Sequence, residues 1–138
     1  MGLVADPLHV LLADDEAGFV ETLAKVLRKR DLVVTVATSG PAALAAAAAA
    51  AFDVVVLDLR MPGMDGLATL AALRRTNPDV PVILLSGHAD LGAAQEALRA
   101  GAVDFLLKPC PIATLVAAIE DAAERAAVAR AAADRDPP

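Results

Sequence analysis

Five short apolar runs lie along the chain, and longer stretches with helical spacing separate them. This alternation is typical of repeated strand–helix units around a parallel sheet, because a strand covered by helices on both faces is apolar at nearly every position. We therefore predict a central, fully buried parallel sheet with five flanking helices. The predicted strands are His9–Ala13, Val33–Ala37, Val54–Leu57, Val82–Leu85 and Asp104–Leu107.

The intervening stretches carry apolar residues three and four positions apart, which predicts one inward-facing stripe on each helix. The stripe of the first helix consists of Phe19, Leu23, Val26 and Leu27. The stripes of the last three helices consist of Leu67, Leu70 and Leu73, then Ala94, Ala97 and Leu98, then Ile112, Leu115, Val116 and Ile119.

An uncharged segment, Leu32–Phe52, is about as long as a membrane span. Turn-forming residues at 38–41 interrupt it, so strand, turn and helix is the better interpretation. The second helix is predicted to begin near Ser39 and Pro41 and to continue through the alanines at 45–51, because alanine has the highest helix propensity. The N-terminus lacks the basic region of a secretory signal, and we expect a cytoplasmic protein without a membrane anchor.

Charge and aromatic content limit the partners that the chain can have. Its formal net charge is −6 and only 2% of its residues are aromatic, which argues against nucleic acid as a partner. The single cysteine, Cys110, allows no internal disulfide and suits a reducing compartment. The 138 residues fit one domain at 8–123, with an N-terminal tail at 1–7, a helix extension and tail at 124–138, and no effector domain.

Polar side chains follow four of the five predicted strands. In a doubly wound sheet, ligands bind beyond the carboxyl ends of the strands, so these side chains are expected to converge. The residues are Asp14, Asp15 and Glu16 after the first strand, Asp58 after the third, Ser86 after the fourth and Lys108 after the fifth.

Converging carboxylates repel each other, and the simplest way to offset this repulsion is to bind a hard divalent cation such as Mg²⁺. A carboxylate can also act as a nucleophile toward phosphorus when a cation and a positive side chain neutralise the transferring group. Lys108 would supply that charge and Ser86 a hydroxyl donor. Any one of these residues alone could be a solvated loop or cap residue, but four strand ends together favour a phosphate and cation site.

Four segments resemble the signatures of receiver domains in the bacterial two-component response-regulator family: LLADDE at 11–16, VVVLDLRMPGMDG at 54–66, VILLSGH at 82–88 and AVDFLLKP at 102–109. They occur in the family's order and spacing. The resemblance covers residues 8–123. It implies an α/β fold of the flavodoxin-like type, a doubly wound five-stranded parallel sheet in the order 2-1-3-4-5 with five flanking helices.

The resemblance also implies roles for the residues at the strand ends. Asp58 would be the phosphoacceptor. Mg²⁺, or Mn²⁺ in its place, would be held directly by Asp15, through water by Asp14, by Asp58 itself and by the backbone carbonyl of Arg60. The loop after Asp58 would include Gly66, where glycine gives freedom in φ.

Further residues would transmit and time the signal. Ser86 and Lys108 would contact the phosphoryl group, and the Lys108–Pro109 peptide bond would be cis. Phe105 would be the aromatic switch residue. Arg60 and His88 flank the site at the positions that tune phosphoryl lifetime in this family.

The resemblance implies a sensor histidine kinase or phosphotransfer protein as donor. Phosphorylation would change the face formed by helix 4, strand 5 and helix 5, which would contact a downstream protein target or a fused effector. The domain would accept and lose the phosphoryl group without being a turnover enzyme. It is expected to be a monomer or a weak homodimer, because the heptad positions beyond residue 124 hold only alanine, which buries little area.

Other functions fit the same residues less well. Phosphatases of the haloacid-dehalogenase type have a second Asp two residues after the nucleophile, and here that residue is Arg60. A nucleotide-binding module would need a glycine-rich phosphate loop after the first strand. A receiver that docks without being phosphorylated remains an alternative within the family, although its site residues are intact.

Overall fold

The computed structural model describes residues 6–59, 66–87 and 91–135, and within these ranges strands and helices alternate. The strands are β1 (His9–Ala13), β2 (Val33–Ala37), β3 (Val54–Leu57), β4 (Val82–Ser86) and β5 (Asp104–Leu107). The helices are α1 (Ala17–Arg28), α2 (Gly40–Ala49), α3 (Gly66–Thr76), α4 (Leu91–Arg99) and α5 (Ile112–Arg135).

The strands form one parallel sheet in the order β2-β1-β3-β4-β5, which confirms the predicted fold class. Four strands have the predicted limits, and β4 is one residue longer because Ser86 still pairs with Leu107. The strand order reverses direction between β1 and β3. The carboxyl ends of these two neighbouring strands therefore open into the crevice where ligands bind in folds of this type.

The prediction of a fully buried sheet is wrong for the two edge strands. Every residue of β3 and β4 is buried, whereas β2 has both buried and exposed residues and no residue of β5 is fully buried. An edge strand has a neighbour on one side only, so the flanking helices cover it incompletely. Val33 and Leu107 are about half exposed as a result.

Alternate residues of the inner strands belong to two separate apolar layers, one on each face of the sheet. In β1, Val10 and Leu12 pack with α1 and α5, whereas Leu11 and Ala13 pack with α2 and α3. The layers consist of aliphatic side chains, as the low aromatic content requires. Helices thus hold both faces of the sheet and fix the strand ends in space.

The first helix departs from its predicted inward stripe at two positions, because Phe19 is exposed and Val26 is only half-buried. The buried residues of α1 are Val20, Leu23, Ala24 and Leu27. Phe19 is 36% exposed, because it lies at the edge of the buried stripe and at the end of the helix nearest the carboxyl ends of the strands.

The second helix begins as predicted but ends early. The Ser39 hydroxyl accepts a hydrogen bond from the Ala42 N–H at 3.1 Å, and Pro41 lies in the first turn. The helix ends at Ala49, since Ala50 is already extended and the chain turns there to enter β3. The prediction from helix propensity alone therefore overestimated the length of this helix. None of the helices in the described residues is both long enough and apolar enough to cross a membrane.

Candidate functional site

Backbone pairing continues past the strand ends and positions the polar side chains that follow them. The N–H of Asp14 donates to the Ala37 carbonyl at 3.0 Å, and the N–H of Asp58 donates to Ala13 at 2.9 Å. The N–H of Lys108 donates to the carbonyl of Ser86 at 2.8 Å. Each of these residues is thus held one position beyond its strand by the neighbouring strand. The rigid sheet, rather than a loop, sets the spacing of the site.

Three carboxylates converge at this edge of the sheet. Asp14, Asp15 and Asp58 each place one oxygen within 4.8 Å of the others. Asp14 and Asp58 are only 2% and 6% exposed, whereas Asp15 is exposed. Burial strengthens the repulsion between neighbouring carboxylates, because little water is present to screen it.

The ammonium group of Lys108 balances part of this charge. Its Nζ donates to Asp14 Oδ2 at 2.6 Å and lies 3.5 Å from Asp58 Oδ2. The exposed carboxylate of Glu16 lies 3.6 Å away. Lys108 therefore lies among the acidic groups and is closest to Asp14.

The electrostatic environment of Lys108 favours its charged form. Burial alone would lower the pKa of the ammonium, but the hydrogen bond to Asp14 and the charges of Asp58, Asp14 and Glu16 outweigh it. The pKa of Lys108 is consequently raised above its ordinary value of 10.5. A folded-state pKa above the unfolded value stabilises the protein below about pH 10.5, and this contribution is lost as the pH rises further.

The other predicted site residues in the described part of the chain lie on β4 and β5. Ser86 is buried at the end of β4, and Phe105 is half-buried on β5. The Lys108–Pro109 peptide bond is cis, as the resemblance implies. Arg60 and His88 lie outside the described residues, so their predicted roles stay predictions.

Two neighbours of Lys108 were not assigned a contact with it from the sequence. Glu16 was predicted only to follow the first strand at this edge of the sheet, and its carboxylate pairs with the lysine at 3.6 Å. Phe19 was assigned to the core, yet its ring centroid lies 4.4 Å from Lys108 Nζ. Helical spacing identified the face of Phe19 only approximately, and no sequence signal pairs it with Lys108, which follows the last strand.

These observations define a class of protein: a doubly wound α/β domain with an acidic crevice and a half-buried lysine, Lys108, at the carboxyl edge of its sheet. Carboxylate oxygens in such a cluster are the ligands that small divalent cations prefer. A fixed ammonium beside a carboxylate can stabilise the oxygens of a phosphoryl group.

The comparisons identify the family. Residues 10–120 match the family model described as the response regulator receiver domain. The chain therefore belongs to the response-regulator receiver domains, a family of phosphorylation-type signalling proteins.

Curated relatives include longer regulators. The chain is 37% identical over 117 residues to the transcriptional regulatory protein ZraR of Escherichia coli K12, covering 85% of this chain and 26% of that protein. It is 41% identical over 113 residues to the DNA-binding transcriptional regulator NtrC of Salmonella typhimurium, covering 82% and 24%. The chain thus spans about a quarter of the length of these relatives. The name of NtrC describes that longer protein as DNA-binding, so the expectation of no nucleic-acid partner does not hold for this relative.

Solved structures agree on the fold. The receiver domain of Francisella response regulator 1452 superposes with a TM-score of 0.80 at 32% identity, covering 86% of this chain and 98% of that one. The NtrX protein of Brucella abortus in complex with ADP superposes with a TM-score of 0.89 at 31% identity, covering 96% of this chain and 30% of that one. The match therefore includes almost all of this chain and a minor part of NtrX.

Proposed function

We propose that this receiver accepts a phosphoryl group on Asp58 from a histidine kinase or phosphotransfer protein and thereby changes the face formed by α4, β5 and α5. The observation that carries the proposal is the placement of Asp58. Its carboxylate is buried, lies in the carboxylate cluster, and has the Lys108 ammonium 3.5 Å from one oxygen.

The chemistry follows from these groups. A carboxylate oxygen of Asp58 attacks phosphorus, an O–P bond forms, and the bond from phosphorus to the donor nitrogen breaks with its electrons leaving on the donor. Lys108 would stabilise the added negative charge and Ser86 would contribute a hydroxyl. The domain acts as an acceptor that later loses the group to water, not as a turnover enzyme.

The donor set also fits Mg²⁺, since Asp14, Asp15 and Asp58 offer oxygen ligands within 4.8 Å of one another and Lys108 compensates only part of their charge. Asp15, Asp14 and Asp58 would hold the ion together with the carbonyl of Arg60. When bound, Mg²⁺ neutralises charge on the phosphoryl oxygens. A cytoplasmic location belongs to the same proposal, because the free thiol of Cys110 suits a reducing compartment.

The proposal is tested by incubating the full chain with a small phosphodonor and measuring intact mass. We expect one phosphoryl addition that requires Mg²⁺, is abolished by a chelator and maps to Asp58. Beryllofluoride should bind under the same conditions. Incorporation that is equally fast with chelator present, or that maps to another residue, would contradict the proposal.

Lys108→Ala is expected to separate phosphorylation from the conformational change. A bound group shifts an equilibrium only through contacts that differ between the two states, and Lys108 would be such a contact. Mg²⁺ binding should persist and tighten, because the competing ammonium leaves Asp14. The measurement is Mg²⁺ titration together with chemical-shift changes on α4, β5 and α5 after beryllofluoride addition.

Lys25→Ala is the control for this experiment, because it removes an exposed lysine from α1. It should leave both the titration and the shifts as in the parent. Shift changes of full size in Lys108→Ala would show that the lysine does not transmit the signal.

Arg60 and His88 are expected to set the lifetime of the phosphoryl group. Groups at the mouth of the site can shield it from the hydrolytic water or orient that water. Arg60→Ala should speed dephosphorylation, and His88→Ala should remove a pH dependence near neutrality, where imidazole titrates. Dephosphorylation rates of both variants that match the parent from about pH 6 to pH 8 would exclude this role.

A further inference from the structure

Phe19 lies beside the acidic crevice and belongs to neither apolar layer of the core. Its ring is 36% exposed at the first turn of α1, whereas Val20, the next residue, is fully buried. Aromatic side chains stabilise a protein mainly by burying their large surface. Packing in the core therefore does not explain the placement of this ring.

The ring instead contacts the ammonium group of Lys108. Nζ lies 4.4 Å from the ring centroid, within the range of about 6 Å over which the negative face of an aromatic ring attracts a cation. The same nitrogen lies 2.6 Å from Asp14 Oδ2. The ammonium is thus held by the aromatic ring and by a carboxylate.

This contact matters because a lysine side chain is long and flexible. Ordering its stem costs conformational entropy, which a carboxylate partner alone offsets only in part. A Cβ added at Gly87 would lie 3.9 Å from Cδ of Lys108, which is an ordinary van der Waals distance. The glycine at position 87 therefore does little to restrict the lysine stem. Lys108 is nevertheless only 13% exposed. Phe19 supplies a surface against which the ammonium can rest.

We propose that Phe19 is a positioning residue, which holds the Lys108 ammonium over the acidic crevice through its aromatic face. The inference rests on the proposed function, because it assigns the ring an effect on phosphoryl transfer through the lysine. The ring face carries the effect, so an apolar side chain without a ring should not replace it.

The contact itself is tested by NMR of the Lys108 side chain. An aromatic ring shifts the resonances of protons close to its face, so the methylene protons next to Nζ should be displaced in the parent. Phe19→Leu should return them to ordinary lysine positions, and Phe19→Trp should keep them displaced. Phe52→Leu removes a ring that packs against the apolar layer of Leu11 and Ala13, and it serves as the matched control. Resonances that are unchanged in Phe19→Leu would overturn the proposal.

The effect on transfer is tested by the rate of labelling with a small phosphodonor at saturating Mg²⁺. Phe19→Leu should slow labelling by about two- to five-fold, the range expected for a partly exposed cation–π contact, and Phe19→Trp should retain the parental rate. In a Lys108→Ala background, Phe19→Leu should have no further effect, since the residue acts through the lysine.

An equal slowing in both backgrounds would show that Phe19 acts independently of Lys108 and would overturn the proposal. A parent chain that does not label at all would contradict the proposed function instead. The NMR comparison of Phe19→Leu with the parent would then still decide whether the ring holds the lysine.

Discussion

Asp58→Asn is expected to abolish phosphoryl incorporation while the domain stays folded. The amide has nearly the same shape as the carboxylate but lacks the nucleophilic oxygen that would form the acyl phosphate. Stability should not fall in Mg²⁺-free buffer. The substitution removes a buried negative charge near Asp14, and Lys108 keeps its shorter contact, at 2.6 Å to Asp14, while its 3.5 Å contact to Asp58 is weakened.

The measurements are intact mass after incubation with a phosphodonor and urea unfolding of both proteins. Asp79→Asn provides the control, because it makes the same chemical change at an exposed position before β4, at the opposite edge of the sheet from the acidic cluster. It should label at the parental rate. If Asp58→Asn labelled as well as the parent, another residue would be the acceptor.

Gly66→Ala is expected to destabilise the fold by about 1–3 kcal/mol, the usual cost of forcing an extra carbon into a packed region. A Cβ on Gly66 would overlap the Cα of Leu59 and lie 2.7 Å from the carbonyl oxygen of Asp58. These neighbours are backbone atoms and cannot rotate away. The N–H of Gly66 also donates to the Leu59 carbonyl at 2.7 Å, so the two segments cannot separate without losing that bond.

Gly18→Ala is the matched control for this substitution. Gly18 lies in α1, and a Cβ there would meet nothing within 4 Å. Alanine should therefore stabilise this helix by up to about 1 kcal/mol, because it restricts the unfolded chain more than glycine does. Opposite signs of the two changes in the free energy of unfolding support the close approach at Gly66. Two stabilising substitutions would contradict it.

The role of Gly66 also illustrates a limit of the sequence interpretation. It was predicted to be a loop residue that needs freedom in φ, but it is the first residue of α3 and is required for close approach to the chain after Asp58. The sequence indicated that position 66 needs a glycine. It could not distinguish the two reasons, because the close approach depends on how α3 packs against the end of β3.

Local patterns in the sequence were sufficient for the strands and for the strand-end residues. A strand buried between helices must be apolar over its whole length, so its limits are visible as the ends of an apolar run. The positions of Asp14, Asp58 and Lys108 just beyond such runs then predicted that they would meet at one edge of the sheet, which they do.

Only the tertiary structure decided which of these groups contact each other and how closely. The sequence does not indicate that Lys108 pairs more closely with Asp14 than with Asp58, that Phe19 faces the ammonium, or that the edge strands are half exposed. Each of these features depends on distances between elements far apart in the chain. Apolar spacing specifies which face of an element is buried, whereas the packing of helices against a twisted sheet sets the distances between elements.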